Sequence, residues 1–503
     1  MRGLLCLLLI VLFGMPVTAV ADDVRPNVVL ILADDLGYGD LGCYGSKVIA
    51  TPRLDRMAAE GLRLTDFSVA SPFCSPSRAA LLTGRLPARC GVPYVLFPAE
   101  HTGLPAEETT IAELLKTAGY ATACVGKWHL GWRWELQPQR QGFDEYFGLL
   151  HTNDIEEWTV GRPFHQLSSF EALTLREGDR VVEQPVNQSL LTSKYTARAI
   201  DFLRRNRERP FFLYLSQTMP HIPQYASSEF AGRSKDGVYG DAIEELDASV
   251  GAILDEIEAL KLAERTLVVF TSDNGAGVRA KGARPNSRFP GRDFGGSNGP
   301  LRAGKGTTFE GGVRVPCIAR WPGVIGTGRV EATPVSAMDL LPTIAALAGA
   351  EVRNSVTLDG LDQSSFLRGG KGNTDRLTAH YFGVQLQAVR KGKWKLFVPI
   401  EAPPAVRVSS LWFEHQPGLF ERQHRTWMRP TLYDLDADLG ESKDVAAEHP
   451  EVVAELLKAA GELDQDHQST RKPVQYLPGP TAPRPGQIRQ ASDDVSEWIE
   501  LAR

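Results

Sequence analysis

The chain has 503 residues, of which 43% are hydrophobic and 23% are charged. This composition is typical of a globular protein and excludes a disordered chain, a collagen-like fibre and a small disulfide-rich protein. The formal net charge of -6 provides no basic excess that would attract nucleic acid or anionic lipid, so an anionic substrate would have to be bound by local positive groups.

Residues 1–21 are predicted to be a signal peptide. Arg2 provides the positive charge, residues 4–13 form an apolar run too short to cross a bilayer, and the Ala-Val-Ala sequence at 19–21 is a small-residue cleavage site. A buried N-terminal helix or an uncleaved anchor is the alternative. We expect an exported protein, periplasmic or secreted, without a membrane span.

Apolar runs alternate with amphipathic helical patterns from residue 27 to about residue 347. The runs predict strands covered on both faces, at 28–32, 121–125, 210–215 and 267–271. Helical patterns lie between them, at 110–118, 195–205 and 242–262. The alternation predicts an α/β fold with a mostly parallel sheet flanked by helices, which we assign to a catalytic domain over 22–370.

The pattern changes after residue 370. Residues 388–397 predict two short strands around a basic glycine turn, residues 431–435 predict another strand, and residues 451–463 predict an amphipathic helix. We expect a smaller C-terminal α+β domain over 371–470. The tail over 471–503 is rich in proline and is predicted to be extended or poorly ordered.

Polar residues follow each predicted strand of the large domain. They are Asp34, Asp35, Lys127, His129, His221, Asp273 and Asn274. Open α/β sheets bind ligands at the carboxyl ends of their strands, so we expect these side chains to share one edge. Asp34, Asp35, Asp273 and Asn274 offer hard oxygen atoms that suit Ca²⁺ or Mg²⁺, although Asp35 and Asp273 could instead cap turns or helices.

Cys74 is a candidate nucleophile. Pro76 and Gly84 are well placed to begin and end a helix, which puts Cys74 at the helix N-terminus, where the pKa of a thiol falls and anions are attracted. Arg78 lies one turn further along the same face. A buried structural cysteine is the alternative.

Lys305 lies in a glycine-rich loop. A phosphate-binding loop needs Ser or Thr directly after the lysine, and Gly306 stands there instead, so we reject a nucleotide site. Lys305 can still donate to an anionic oxygen or act as an acid. A solvated loop lysine is the alternative.

Two motifs resemble the signatures of the sulfatase family. The sequence Cys-Ser-Pro-Ser-Arg at 74–78, followed by Thr-Gly-Arg at 83–85, resembles the first signature, and Gly-Lys-Trp-His-Leu-Gly at 126–131 resembles the second. Further blocks at 34–35, 272–275 and 304–308 occur in family order. The resemblance extends over about residues 26–396.

The segments 295–300 and 308–312 most resemble arylsulfatase A and N-acetylgalactosamine-6-sulfatase. The resemblance implies an alkaline-phosphatase-like fold with a small C-terminal domain. It also implies that a maturation enzyme oxidises Cys74 to formylglycine, whose hydrate is the nucleophile. A geminal diol can accept sulfate on one oxygen and expel it by re-forming the aldehyde with the other, whereas a serine or thiol would remain sulfated.

The resemblance further implies a role for each candidate residue. Asp34, Asp35, Asp273 and Asn274 would hold Ca²⁺ together with the modified Cys74. Arg78 and Lys127 would bind the hydrate and the sulfate. His221 or Lys305 would protonate the leaving oxygen, and His129 would be the base for the final elimination.

The resemblance favours a sulfated sugar or glycan as substrate, with N-acetylgalactosamine 6-sulfate as the first candidate. The alternatives are an aryl sulfate hydrolase, a phosphate-ester hydrolase on the same fold and a non-catalytic carbohydrate-binding relative. Candidate outer contacts lie in the segments 94–101 and 151–158 and at His380. The sequence leaves open whether Cys43, Cys90, Cys124 and Cys317 form disulfides.

Overall fold

The structure, a computed structural model, describes residues 25–97, 101–155, 173–277, 295–352, 357–400, 429–475 and 477. The predicted signal peptide and most of the proline-rich tail lie outside these residues.

The strands are β1 (Asn27–Ala33), β2 (Leu62–Leu64), β3 (Phe67–Ser68), β4 (Ala121–Gly126), β5 (Glu145–Gly148), β6 (Leu175–Glu177), β7 (Arg180–Glu183), β8 (Phe211–Ser216), β9 (Thr266–Ser272), β10 (Cys317–Arg320), β11 (Arg329–Glu331), β12 (Val335–Ser336), β13 (Leu377–Phe382), β14 (Gln385–Lys391), β15 (Trp394–Phe397) and β16 (Thr431–Asp434). The α-helices are α1 (Pro52–Ala59), α2 (Cys74–Thr83), α3 (Ile111–Thr117), α4 (Leu191–Asn206), α5 (Gly237–Ala259), α6 (Glu310–Val313), α7 (Leu340–Ala348), α8 (Ser364–Leu367) and α9 (Pro450–Thr470).

A ten-stranded sheet forms the centre of the molecule, in the order β11-β2-β10-β9-β1-β8-β4-β5-β6-β7. The strands from β9 to β5 are parallel, whereas β10, β6 and β7 run antiparallel to neighbours. The four apolar runs of the sequence are β1, β4, β8 and β9, all buried along their whole length. The predicted mostly parallel α/β fold is therefore confirmed.

Helices cover both faces of this sheet. Leu30 points into an apolar layer with helices α2, α3 and α7, and the next residue, Ile31, points into the opposite layer with α1, α4 and α5. Alternation along a strand sends successive side chains to opposite faces, so a sheet covered twice needs an unbroken apolar run. This is why the central strands could be recognised from the sequence.

A second, four-stranded antiparallel sheet has the order β13-β14-β15-β16 and packs against α9. Val389, Leu396 and Leu432 form its apolar face together with Leu456 of the helix. The predicted strand pair around the basic glycine turn is β14 and β15. This small α+β unit lies C-terminal to the large sheet, as expected.

The described start of the tail is extended and bound to the large unit, where the backbone N–H of Lys472 donates to Ala88 O at 2.9 Å. Among the described residues, no helix has the length and apolar character needed to cross a membrane.

Candidate active site

The predicted oxygen donors meet at the carboxyl ends of β1 and β9. Asp34 and Asp35 follow β1, Asp273 and Asn274 follow β9, and all of them are buried. The backbone N–H of Asp35 donates to Asp273 Oδ1 at 3.1 Å, and Asn274 Nδ2 donates to Asp35 Oδ1 at 2.7 Å. The two parallel strands are neighbours in the sheet, so they bring residues distant in sequence to one point.

Oxygen atoms at this point fit a hard cation. Asp34 Oδ1 and Asn274 Oδ1 are buried without a hydrogen-bond partner in the described part of the chain. Ligand atoms of Asp34, Asp35 and His221 lie within 4.8 Å of one another. A buried oxygen without a partner is costly, and carboxylate and amide oxygens are the ligands that Ca²⁺ prefers. The residues present therefore suit the expected ion, and His221 lies beside these oxygen atoms.

Cys74 is the first residue of α2 and is 3% exposed. Burial raises the pKa of its thiol, although Lys127 and Lys305 act in the opposite direction. The unmodified thiol is therefore protonated at neutral pH and is a weak nucleophile. The predicted helix is confirmed, with Gly84 in the left-handed conformation at its C-terminal end.

Arg78 is fully buried beside the oxygen cluster. Its Nε and Nη2 donate to Asp273 Oδ2 at 2.9 and 2.7 Å, and its Nη1 donates to Lys127 O at 3.0 Å and to Ser216 Oγ at 2.5 Å. Burial acts to lower the pKa of Arg78, but Asp273 and Asp34 raise it above its usual value. Arg78 is thus a permanent cation whose guanidinium is fixed on several sides.

Two lysines reach the same carboxylates. Lys127 Nζ donates to Asp34 Oδ2 at 2.5 Å, and Lys305 Nζ donates to Asp35 Oδ2 at 2.8 Å. Burial acts to lower the pKa of Lys305, but Asp35 together with the other negative groups around it raises the pKa above its usual value. Burial acts to raise the pKa of Asp35, and Lys305 and His221 bring it below its usual value. The structure therefore places three cations around Cys74 and the oxygen cluster.

The two predicted histidines have different surroundings. His221 Nδ1 lies 2.6 Å from Ile222 O and 3.1 Å from Asn153 Oδ1, while its Nε2 lies 3.7 Å from Asp35 Oδ2. His129 Nε2 lies 2.9 Å from Leu96 O, and its Nδ1 is buried without a hydrogen-bond partner among the described residues. Burial lowers the pKa of both rings, that of His221 to about 4. Both rings are therefore neutral, and each turns one nitrogen away from the backbone carbonyl it contacts.

Several polar residues that hold this site together were given no role from the sequence. Ser216 contacts Arg78, and Asn153 contacts His221. The Tyr239 hydroxyl lies 2.6 Å from Asp40 Oδ2 and 3.2 Å from the backbone oxygen of Asp35. Ser216 could have been recognised as the polar residue that ends an apolar run, whereas nothing in the sequence pairs Tyr239 with Asp40.

The candidate outer contacts are spread over different environments. His101 and Trp132 pack edge to face, and His151 is 5% exposed beside Trp132. His380 is 3% exposed and faces Lys395, Glu310 and Arg390, within a buried ion cluster. Parts of the predicted segments, at 98–100 and 156–158, lie outside the described residues.

Comparisons with protein families match two parts of the chain. Residues 26–350 match the family model described as Sulfatase, and residues 373–484 match the one described as C-terminal region of aryl-sulfatase. Together these matches cover the large sheet, the site and the small sheet.

Curated relatives extend over most of the chain. Steryl-sulfatase of Mus musculus is 38% identical over 91% of this chain and 84% of its own. Arylsulfatase A of Homo sapiens is 42% identical over 86% of each chain. N-acetylgalactosamine-6-sulfatase of Canis lupus familiaris is 39% identical over 93% of this chain and 90% of its own.

Among solved structures, Ps i-CgsB in complex with k-i-k-neocarrahexaose superimposes with a TM-score of 0.72 at 29% identity, covering 90% of this chain and 95% of that one. The resemblance found in the sequence motifs is thereby confirmed over the whole fold.

Proposed function

Since the chain belongs to the sulfatase family and is a sulfuric ester hydrolase, we propose that it acts on the sulfate ester of a sugar or glycan, with N-acetylgalactosamine 6-sulfate as the first candidate. Two similarities support a carbohydrate. N-acetylgalactosamine-6-sulfatase is 39% identical to this chain, and the similar structure of Ps i-CgsB was solved with a neocarrahexaose.

The observation that carries the chemistry is the arrangement of Arg78, Lys127 and Lys305 around the buried Cys74. All three cations are at least 95% buried, in a site where charge interactions are much stronger than in water. Asp34, Asp35 and Asp273 balance these three charges, and a Ca²⁺ ion bound to the same carboxylates would leave a net positive charge for a sulfate group. Asp273 fixes the orientation of the Arg78 guanidinium through two nitrogens.

The proposal includes conversion of Cys74 to formylglycine by a maturation enzyme. When formed, that group supplies a nucleophilic hydrate oxygen, which the protonated thiol cannot provide. Asp34, Asp35, Asp273 and Asn274, with residue 74, would hold a Ca²⁺ ion that absorbs negative charge and positions the sulfate oxygens. The unpartnered Asp34 Oδ1 and Asn274 Oδ1 support this set.

Protons are moved by side chains at two sides of the site. Lys305 Nζ and His221 Nε2 both lie against Asp35, so both face a leaving alcohol bound there. Lys305 carries a proton, whereas the neutral His221 ring holds its proton at Nδ1 and would have to take up a second one at Nε2 before acting as the acid. Sugar alkoxides are poor leaving groups unless they are protonated. His129 Nδ1 is buried and has no hydrogen-bond partner in the part of the chain that the structure describes, which supports its role as the base that removes a proton from the hydrate of residue 74.

The experiment is release of free sulfate from a panel by protein produced together with a formylglycine-forming enzyme. The panel holds 6-sulfated and 4-sulfated N-acetylgalactosamine, N-acetylglucosamine 6-sulfate, an aryl sulfate and a phosphate ester. We expect release from a sulfated sugar that is lost in Cys74→Ala and kept in Cys43→Ala, which removes another unpaired cysteine. Preference for the aryl sulfate or the phosphate ester would overturn the proposed substrate.

We also propose that the protein is exported to the periplasm or secreted. The support is the N-terminal pattern of charge, apolar run and cleavage site. The expected N-terminus of the isolated protein is Asp22, and N-terminal sequencing of material from the culture medium or periplasm checks this.

A further inference from the structure

The loop after β5 contacts both histidines of the candidate site. The backbone N–H of His129 donates to Leu150 O at 3.1 Å, and Asn153 Oδ1 lies 3.1 Å from His221 Nδ1. β5 pairs with β4 in parallel, so the loops after these two strands leave the same edge of the sheet. The loop after β5 carries neither signature motif, but it is placed to hold both histidines.

The side chain of Asn153 has one orientation in this network. Its Nδ2 donates to Pro223 O at 3.1 Å and to Gln188 Oε1 at 3.0 Å. A backbone carbonyl can only accept, so the amide nitrogen must face Pro223 and the amide oxygen must face His221. Gln188 Nε2 donates in return to Asn153 O at 3.3 Å, which fixes the second amide in the same way.

This orientation determines which nitrogen of His221 always carries a proton. Nδ1 contacts Ile222 O at 2.6 Å and Asn153 Oδ1 at 3.1 Å, and neither of these oxygens can donate. Nδ1 must therefore be the donor, so it carries a proton in both the neutral and the charged ring. Nε2, which lies 3.7 Å from Asp35 Oδ2, is then the nitrogen that gains or loses a proton.

The network lies in the interior of the protein. Asn153 has no exposed surface, and Gln188 and His221 are also buried. An unpaired amide is costly in such a place, so two amides that bond to each other and to the backbone hold one arrangement. Because Asn153 is fully enclosed, its effect on the reaction passes through the His221 ring and not through contact with substrate.

We propose that Asn153, supported by Gln188, is a positioning residue that presents Nε2 of His221 to the leaving alcohol. This inference rests on the proposed function, in which His221 is one of two candidate acids, and deepens it. A proton taken up from water enters the ring at Nε2, because Nδ1 already carries one. That proton passes to the leaving oxygen as the bond from this oxygen to sulfur breaks, and the ring returns to its neutral form with Nδ1–H unchanged.

The first measurement reads the ring directly. Two-bond ¹H–¹⁵N spectra of the protein with ¹⁵N-labelled histidine, recorded with Ca²⁺ present, distinguish protonation at Nδ1 from protonation at Nε2. His221→Gln identifies the signal by its loss. We expect wild-type His221 to be protonated at Nδ1, and Asn153→Leu to shift both ring nitrogens towards an average of the two tautomers. A wild-type ring protonated only at Nε2, or a spectrum that Asn153→Leu leaves unchanged, would overturn the proposal.

The second measurement compares the kinetics of Asn153→Leu and Asn206→Leu. Asn206 is a matched control, because it is buried and its amide also bonds at both ends, to Phe202 O at 2.8 Å and to Arg209 Nε at 2.9 Å. It ends α4 ahead of β8, at the edge of the sheet opposite to the site.

We expect kcat for a sugar sulfate to fall about tenfold in Asn153→Leu, which corresponds to the loss of one hydrogen bond, while KM changes little. Hydrolysis of 4-nitrophenyl sulfate should change much less, because its leaving group needs little protonation. Asn206→Leu should keep a kcat close to that of wild type on both substrates.

The outcomes separate this inference from the proposed function. Equal kcat values in the two variants, or an equal loss on both substrates in Asn153→Leu, would show that Asn153 does not position the acid, while sulfatase activity stands. If the converted wild-type protein releases no sulfate from any sugar sulfate, the proposed function fails, and the ring spectra still decide whether Asn153 holds His221.

Discussion

Each charged side chain at the site is held by a partner of opposite charge. Arg78 is bound by Asp273, Lys127 by Asp34 and Lys305 by Asp35, all buried. Removing one member of such a buried pair leaves an uncompensated charge, which is strongly destabilising. Substitutions at these residues therefore report on folding as well as on catalysis, and subtler changes give clearer tests.

Tyr239 offers such a change. Its hydroxyl bridges Asp40 and the backbone of Asp35, a proposed calcium ligand that has the positive φ of 66°. Hydrogen-bonding partners of metal ligands typically contribute about tenfold or more to metal affinity. We expect Tyr239→Phe to weaken Ca²⁺ binding about tenfold by isothermal titration calorimetry, with near-normal kcat at saturating Ca²⁺.

The matched control is Tyr195→Phe, which removes the hydroxyl of another buried tyrosine, bonded to Thr218 at 3.1 Å. Equal Ca²⁺ affinities in the two variants would show that the Tyr239 hydroxyl does not support Asp35.

The roles of Lys305 and His221 as proton donors can be distinguished with substrates whose leaving groups differ in acidity. If Lys305 gives its proton to the leaving oxygen, Lys305→Met should lower kcat/KM for a sugar sulfate by about 10²–10⁴ but have much less effect on an aryl sulfate with an acidic phenol. The aryl leaving group needs little protonation. The same comparison with His221→Gln assigns the second group, and an equal loss on both substrates in both variants would contradict acid catalysis by either residue.

At the residue scale, sequence reasoning found groups that stand directly after apolar strands, because position alone marks them. It did not find Tyr239 or Asp40, and it included Asn153 only within the candidate segment 151–158, without its contact to His221. These contacts depend on how separate loops fold over one another. Predicting those contacts requires the spatial arrangement of the loops, which a pattern along the sequence does not give.

At the scale of elements, a buried ion cluster joins the two sheets. Lys395 of β15 donates to Glu310 at 2.8 Å and lies 3.1 Å from Glu441, while Arg390 of β14 pairs with Asp66. Burial acts to raise the pKa of Glu310, and Lys395 and Arg390 outweigh it and lower it. The small sheet is thus attached by charges as well as by apolar contacts.

We expect Lys395→Met to lower the free energy of unfolding by about 3–5 kcal/mol, because Glu441 loses its buried partner and Glu310 keeps only Arg314 and Arg390 of its three. Lys391→Met on the neighbouring strand is the control, since Lys391 pairs with Glu455 at the surface, where water screens the interaction. Urea unfolding measures both, and similar stabilities of the two variants would contradict a structural role for the cluster.

His380 makes this cluster sensitive to pH. Burial, with Lys395, lowers its pKa to about 3, against about 6.5 in an unfolded chain. Between these two pH values the unfolded state binds more protons than the folded state. His380 therefore costs the folded protein nothing above pH 6.5, and the free energy of unfolding falls by about 1.4 kcal/mol for each pH unit below that value. In His380→Gln, the loss of stability between pH 7.5 and pH 5 should be smaller by about 2 kcal/mol.

Urea unfolding at both pH values provides this measurement. Parallel pH profiles for wild type and His380→Gln would show that His380 is not held neutral in the folded protein. The positive charges of Lys395 and Arg390 disfavour protonation of the His380 ring and lower its pKa, whereas Glu310 favours protonation.

In the large sheet, the strands that the sequence revealed are those buried on both faces. β1, β4, β8 and β9 are continuous apolar runs, and α2 has a proline near its start and a glycine at its end. Strands at or next to the edges of the large sheet, such as β6, β7 and β11, are three or four residues long and partly exposed, so they carry no such pattern. They take their conformation from the strand beside them.

At the scale of the whole molecule, the parallel strands set the position of the chemistry. Loops after β1, β4, β8 and β9 converge on one edge, and α2 adds Cys74 there with its N-terminal residue. The sequence motifs and the fold lead independently to this edge. Substrate preference depends on the surrounding loops, which is why the motifs identify the chemistry better than the sugar.

The most direct measurement relates activity to conversion of Cys74. Protein preparations with different fractions of formylglycine, obtained by varying the co-produced maturation enzyme, are analysed by peptide mass and assayed for sulfate release with Ca²⁺ present. If residue 74 supplies the nucleophile, activity will be proportional to the converted fraction and absent from unconverted protein. Activity that is independent of that fraction, or that persists in Cys74→Ala, would contradict the proposal that residue 74 supplies the nucleophile.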